Sequence, residues 1–263
     1  MKIGFIGGGN MAGAILEGVL ASGLSKKEEL VVCDKNPDAL RKYEGIATGT
    51  NNVAALECDY VVLAVKPFIL PMVLKELKDS GKDLSKAVFV SIVAGASVDS
   101  IRSVLGTEAK IVRVMPNTPA MVREGMTVVS AKEENLSEEE FSGALSIFCA
   151  VGKTEVLPET MLNAVIGISG SSPAYVFMMI EAMADAGVRD GLARDVAYRL
   201  AAQSVLGSAK MVLESGKHPG ELKDMVCSPK GTTIEAVAEL ENKGFRSAII
   251  DAVKACNDKA NRL

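Results

Sequence analysis

Two short stretches of this chain carry residue types whose spacing suits chemistry on small charged molecules. The first is Gly7-Gly8-Gly9-Asn10-Met11-Ala12, which fits the G-x-G-x-x-G/A pattern at Gly7, Gly9 and Ala12. Gly7 permits a tight turn, Gly9 lets backbone approach a pyrophosphate, and Ala12 lets a helix pack close on a strand. The helix that follows offers free N–H groups and a positive dipole end to phosphates. The pattern therefore points to a dinucleotide. The second stretch runs from Asp224 to Ile234 through Cys227-Ser228-Pro229-Lys230-Gly231-Thr232-Thr233. It delivers two threonines to a helix start. One reading is a plain helix cap, because Ser and Thr side chains satisfy orphan N–H groups there. The other is a carboxylate cradle made by the N–H groups of Gly231, Thr232 and Thr233, with a threonine hydroxyl left for the reacting atom. The residues alone leave both readings open.

Other chemistries lack their residues. The single histidine, His218, sits in Ser215-Gly216-Lys217-His218-Pro219-Gly220 and reads as a solvated loop residue before a helix that Pro219 starts. Histidine-based metal sites and Ser-His-Asp chemistry are thereby nearly excluded, and no metal is expected. Gly167-Ile168-Ser169-Gly170-Ser171 lacks the last glycine of a nucleophile elbow, and no base is at hand. The five cysteines are odd in number, scattered and free of any C-x-x-C pair, which reads as reduced thiols in the cytoplasm. The net charge of −4, from 29 basic and 33 acidic residues, argues against nucleic-acid or anionic-membrane partners. The N-terminal apolar stretch is too short for a signal-peptide core. No segment is expected to reach the length of a membrane span.

The elements that must position these groups divide into two halves, and 263 residues are enough for two domains. Ile3, Phe5 and Ile6 form a strand before the glycine turn. Further apolar runs at 30–33, 60–65, 88–93 and 111–115 alternate with helical patterns, as in a parallel sheet covered on both faces. Residues 126–130 and 154–157 read as closing strands around a helix opened by the capping box Ser137-Glu138-Glu139-Glu140. Past Pro158, strand patterns vanish. Helices are expected at 159–168, 173–188, 194–214, 219–226, 232–242 and 245–261. The fold class is therefore α/β: a doubly wound, Rossmann-type domain over 1–158, then an all-helical domain over 159–263. The helix from Pro173 is apolar nearly all round, which predicts burial between subunits of an obligate oligomer.

In a doubly wound sheet, ligands bind beyond the carboxyl ends of the strands. That edge gathers Asn10 and Met11, Asp34-Lys35-Asn36, Lys66-Pro67, Ala94-Gly95 and Pro116-Asn117-Thr118. Asp34 favours the free 2′-hydroxyl of NAD, whereas Lys35 and Asn36 suit the 2′-phosphate of NADP. Lys66 reads either as a solvated strand-end lysine or as a cofactor-lining group.

Read together, Gly7–Ala12, Ala64-Val65-Lys66-Pro67, Met115-Pro116-Asn117-Thr118-Pro119, Gly170-Ser171-Ser172-Pro173-Ala174-Tyr175 and the Asp224–Val237 segment resemble pyrroline-5-carboxylate reductases. The last segment is the most specific of the five. The resemblance implies the final step of proline biosynthesis: hydride transfer from NAD(P)H, usually NADPH with NADH possible, to the C=N carbon of 1-pyrroline-5-carboxylate, giving L-proline. It implies that Ser228, Gly231 and Thr232 hold the substrate carboxylate, and that the catalytic hydroxyl of Thr233 lies near the imine nitrogen. It also implies a cofactor lined by Gly7, Gly8, Gly9, Asn10, Met11, Asp34, Lys35, Asn36, Asn52, Ala64, Val65, Lys66, Pro67, Ala94 and Asn117. The helical half would dimerise, often within a decamer, with sites at the subunit junction. One departure stands out: Lys230 replaces a second glycine usual in the family. An ordinary negative φ is expected at Lys230, because the left-handed region is costly for a non-glycine residue. A β-hydroxyacid dehydrogenase would need a lysine where this chain has Val176, and none occurs from there until Lys210. A non-catalytic NADP-binding scaffold would have no need of the Gly231-Thr232-Thr233 loop.

Overall fold

The computed structural model describes residues 1–262. In chain order the first part comprises β1 (Ile3–Ile6), α1 (Asn10–Ala21), β2 (Leu30–Cys33), α2 (Pro37–Leu40), β3 (Ala47–Gly49), β4 (Tyr60–Leu63), α3 (Leu70–Asp79), β5 (Val88–Ser91), α4 (Val98–Leu105), β6 (Lys110–Met115), β7 (Gly125–Ser130), α5 (Glu138–Cys149) and β8 (Gly152–Leu157). The eight strands form one sheet in the order β3-β2-β1-β4-β5-β6-β7-β8. Neighbours run parallel throughout, except that β7 turns back antiparallel to β6. The order reverses between β1 and β4, and the glycine turn leaves β1 at that switch point.

Alternation along each strand builds a core on both faces. Ile3 and Phe5 join Val62, Val90 and Val112 under α1 and α5, where Ile15, Val19 and Phe148 lie buried. Ile6, Val61, Leu63 and Phe89 point the other way, against Leu70, Val73 and Leu77 of α3 and Ile101 of α4. Each such side chain contributes about 1.5–3 kcal/mol on burial. The Ser137 capping box at α5 forms as expected. The three-residue edge strand β3 was not anticipated. Ala47-Thr48-Gly49 carries no apolar run, and only pairing with β2 makes it a strand.

The chain divides into two compact units. One comprises Met1–Ser171 with the residues from Cys256 onward, and the other Ser172–Ala255. The first unit thus includes α6 (Leu162–Val165) and a π-helical turn at Ile166–Gly170. Buried Arg113 on β6 ties this segment to the sheet, reaching Glu159 at 3.3 Å and Asn163 at 2.9 Å. Asn257 reaches the Gly167 N–H at 2.8 Å and the Ala164 carbonyl at 3.0 Å.

The helices that follow are α7 (Ser172–Arg189), α8 (Arg194–Ser215), α9 (Pro219–Val226), α10 (Thr232–Asn242) and α11 (Phe245–Ala260). His218 is exposed, as expected, and it also helps to start a helix. Its Nδ1 accepts the Gly220 N–H at 3.0 Å and caps α9. In α7 only Pro173 and Ala184 are buried within the chain, while Phe177 and Met178 stay 61% and 69% exposed.

One expectation fails here. Glu159–Arg189 is a helical stretch of 31 residues, long and apolar enough by length and composition to cross a membrane. The reason is local. Gly170-Ser171-Ser172-Pro173 reads as a break, yet only a bend at Ser171 separates the wide π turn from α7, with the Ser171 N–H donating to the Ile166 carbonyl at 2.7 Å. Pro173 then stands early in α7, where its missing N–H does no harm.

Candidate active site

The glycine turn is shaped by its surroundings. Gly7 has φ +105°, and a Cβ there would lie 2.5 Å from the Ala64 carbonyl oxygen. Its N–H donates to the Cys33 carbonyl at 2.7 Å. Gly8 is gripped from both sides. Its N–H donates to Asp34 Oδ2 at 2.7 Å, and its carbonyl accepts the Tyr43 hydroxyl at 3.1 Å. Burial pushes the Tyr43 phenol up to about 12, so it remains a donor. Gly9 is the N-cap of α1 and offers no side-chain cap, so the N–H groups of Asn10 and Met11 lack an intrahelical partner. A Cβ at Gly9 would meet nothing within 4 Å, so open space lies in front of that backbone. A positive helix end, unclaimed N–H groups and free space together fit the pyrophosphate of a dinucleotide.

The ends of the neighbouring strands complete this edge of the first unit. Ala64 and Val65 follow β4 directly against Gly7. Lys66 is exposed before Pro67, and its ammonium has no partner among the described residues. Ala94 is half-buried past β5, beside Gly95 with φ +77°. Asn117 is buried and engaged at both ends. Its Oδ1 accepts the Met126 N–H at 2.9 Å, and its Nδ2 donates to the Ser169 carbonyl at 3.0 Å. It braces the loop after β6 against β7 and the π turn.

At the end of β2 the groups also make contacts within the chain. Both Asp34 oxygens accept backbone N–H groups, from Gly8 at 2.7 Å and Asn36 at 2.8 Å. Asp34 is thus a brace for the turn. Asn36 caps α2 by accepting the Asp38 N–H at 3.0 Å. Lys35 pairs with Glu76, and buried Asn52 donates to the same carboxylate. Reasoning from sequence missed Tyr43 and Glu76. Tyr43 reaches Gly8 across 35 residues and Glu76 reaches Asn52 across 24, and neither carries a local signal.

In the second unit, the loop between α9 and α10 folds as a turn over Ser228-Pro229-Lys230-Gly231, closed by the Gly231 N–H donating to the Ser228 carbonyl at 3.0 Å. Lys230 has φ +59°, which corrects the expected negative value. A proline in the second position with positive φ in the third is the type II pattern, which favours glycine in that third place. The closing hydrogen bond fixes the backbone, and Lys230 accepts the strain.

Gly231 is the N-cap of α10 and supplies no side chain. A Cβ there would lie 2.3 Å from Ser228 Oγ. Since its N–H is engaged in the turn, the open donors are the N–H groups of Thr232, Thr233 and Ile234. Thr232 and Thr233 are helical residues rather than caps, and neither hydroxyl makes a hydrogen bond among the described residues. The plain capping reading therefore falls away. An uncapped helix N-terminus with a free hydroxyl in its first turn suits a small carboxylate carrying a polar reacting atom.

Comparison with known proteins bears on both units. Residues 159–263 match the family model described as pyrroline-5-carboxylate reductase dimerisation, and residues 2–95 match that described as NADP oxidoreductase coenzyme F420-dependent. The chain is 51% identical to a pyrroline-5-carboxylate reductase of Escherichia coli, over 100% of this chain and 98% of that protein. It is 42% identical to one of Methanosarcina acetivorans, over 100% and 97%. Among solved structures, the Plasmodium falciparum pyrroline carboxylate reductase with NADP bound superposes with a TM-score of 0.89 at 33% identity, covering 99% of this chain and 97% of that one.

Proposed function

The chain belongs to the pyrroline-5-carboxylate reductase family, and we propose how its own residues reduce 1-pyrroline-5-carboxylate to L-proline. NAD(P)H, when bound, supplies the hydride that forms the new C–H bond at the C=N carbon. A protonated cyclic imine is already a strong hydride acceptor, so the chain mainly supplies orientation and electrostatic fit. The N-terminus of α1 with Gly7, Gly8 and Gly9 holds the pyrophosphate. Lys66, Pro67 and Ala94 line the nicotinamide end, and Asn117 fixes the loop beside it. The N–H groups of Thr232, Thr233 and Ile234 hold the substrate carboxylate, and Ser228 and Gly231 shape that cradle.

Thr233 is the catalytic residue. As hydride reaches carbon, the C=N π pair becomes the amine lone pair, and the nitrogen must keep its proton. A hydroxyl against that nitrogen orients and stabilises it. The observation that carries this reading is the free Thr233 hydroxyl beside an uncapped helix end. Losing a hydrogen bond to a charged group costs about 1.5–3 kcal/mol, or about ten- to a hundred-fold in rate. Thr233→Val, which keeps the shape, is expected to lower kcat/KM for the imine by that factor while NADPH binding holds. Thr233→Ser recovers much of the loss. Wild-type turnover in Thr233→Val would refute the role.

Residues 1–158 serve the cofactor, and 159–263 serve dimerisation and substrate binding. The exposed apolar faces of α7 and α8, with Phe177, Met178, Leu200 and Leu206 at the surface of the single chain, support a homodimer. Five free cysteines suit the reducing cytoplasm.

A further inference from the structure

In an open α/β sheet the end of β2 is where NAD is told from NADP, because the adenosine ribose lies beyond it. The groups there are already engaged. Asp34 is held by two backbone N–H groups. The Lys35 ammonium lies 2.8 Å from Oε1 of Glu76 on α3. The other Glu76 oxygen accepts from Asn52 Nδ2 at 2.9 Å. One carboxylate thus occupies two groups expected to meet the ribose. We propose that Glu76 is a specificity-determining residue that restrains the preference for NADPH over NADH, by neutralising Lys35 and by setting a negative charge where the 2′-phosphate arrives.

Three observations support this. Burial pushes the Glu76 carboxyl up, but the hydrogen bonds from Lys35 and Asn52 outweigh it and hold it below its ordinary value, so Glu76 is ionised. With Asp34 and Glu76 negative and Lys35 positive, this cluster carries a net negative charge before any ligand binds. A phosphate monoester adds about −1.5 to −2. A neutral 2′-hydroxyl meets no such repulsion and can donate to a carboxylate. Finally, the Asn52 amide nitrogen is bound to Glu76. Its carbonyl oxygen, without a partner among the described residues, is an acceptor that suits a hydroxyl and not a phosphate.

The inference rests on the cofactor reading above, and one titration series separates the two. Adenosine 2′,5′-bisphosphate and 5′-AMP differ by the 2′-phosphate and need no turnover. They are titrated calorimetrically into the full-length wild type, Glu76→Gln, Glu76→Asp, Lys35→Ala and the Glu76→Gln/Lys35→Ala pair, each checked for an unchanged melting curve. Glu76→Gln is expected to tighten the bisphosphate about tenfold and 5′-AMP less than about twofold, with the NADPH/NADH Kd ratio moving alike. Glu76→Asp stays near the wild type. Lys35→Ala alone weakens the bisphosphate less than about threefold, because Glu76 already neutralises that lysine, and it cancels the gain in the pair. An unchanged ratio in Glu76→Gln, equal weakening of both nucleotides, or a tenfold loss in Lys35→Ala alone would overturn the proposal. A wild type that binds neither nucleotide refutes the cofactor site instead.

Discussion

Lys230 offers a direct test of how the proposed substrate loop is built, because one residue there carries both strain and charge. Its φ of +59° lies in the left-handed region, where a side chain with a Cβ costs about 1–2 kcal/mol. Lys230→Gly removes that strain but gives the unfolded chain more freedom, worth about 0.5–1 kcal/mol in the other direction. The balance is a stabilisation of about 0.5–1 kcal/mol, or about 1–2 °C in Tm for a chain of this size. The charge acts oppositely. If a carboxylate bound about 8 Å from this exposed ammonium, the pair would contribute about 0.5 kcal/mol in water. Its loss is expected to raise KM for the imine about twofold at low salt and to leave it unchanged near 1 M salt.

Thermal unfolding and steady-state kinetics on the same preparations read the two effects apart. Lys230→Asn sharpens the comparison, since asparagine tolerates the left-handed region better than lysine while lacking the charge. It is expected to share the KM change and show a smaller gain in Tm. A Lys230→Gly protein no more stable than the wild type would refute the strain argument. Collapse of turnover in that variant would assign Lys230 a chemical role that the loop geometry does not show.

The exposed apolar surface of α7 and α8 makes an isolated protomer a poor folded state, so sedimentation at nanomolar concentration is expected to show no folded, active monomer, and a stable one would defeat the reading. Glu29 accepts the Lys26 backbone N–H and the N-terminal ammonium, which hold its carboxyl at about 2. A carboxyl depressed on folding stabilises fully above its unfolded value and loses that contribution as pH falls toward 2. Glu29→Gln is therefore expected to flatten the fall in urea midpoint between about pH 4.5 and pH 2, and an unchanged slope would dissociate Glu29 from acid sensitivity.

Much of this molecule was legible because its signals are local and periodic. The apolar runs before Gly7, Lys66, Ala94 and Pro116 became β1, β4, β5 and β6. Helix starts at Pro219 and Thr232 fell where proline and the small-residue loop predict them. The outcome at Lys230 was not legible from residue preference alone, because the closing hydrogen bond from Gly231 to Ser228 and the placement of Pro229 decide the backbone. Asp34 shows the same limit in a side chain. Its position matches a ribose-binding carboxylate, and spacing alone does not announce that the amides of Gly8 and Asn36 each donate to one of its oxygens, which keep further lone pairs. The contacts of Tyr43 with Gly8, and of Glu76 with Lys35 and Asn52, join distant segments that no window of sequence brings together.

A common backbone device underlies both proposed binding regions. Helices α1 and α10 each begin after a glycine N-cap, with φ −72° and ψ −172° at Gly9 and φ −80° and ψ 165° at Gly231. The two conformations are nearly the same, and neither helix end carries a side-chain cap. Elsewhere Asn36, Ser97, Ser137 and His218 accept the N–H groups of the helices they precede. Glycine in place of such a cap costs only a few tenths of a kcal/mol, while the first N–H groups stay open to an outside anion. One expected ligand carries a pyrophosphate and the other a carboxylate, and both are met by the same chemistry: fixed backbone donors at a positive helix end. At the first of these ends, Asp34 and Tyr43 hold the Gly8 backbone still. This division would let a chain with one histidine and no clustered metal ligands among its described residues bind two anionic molecules through backbone alone, as the proposed function requires.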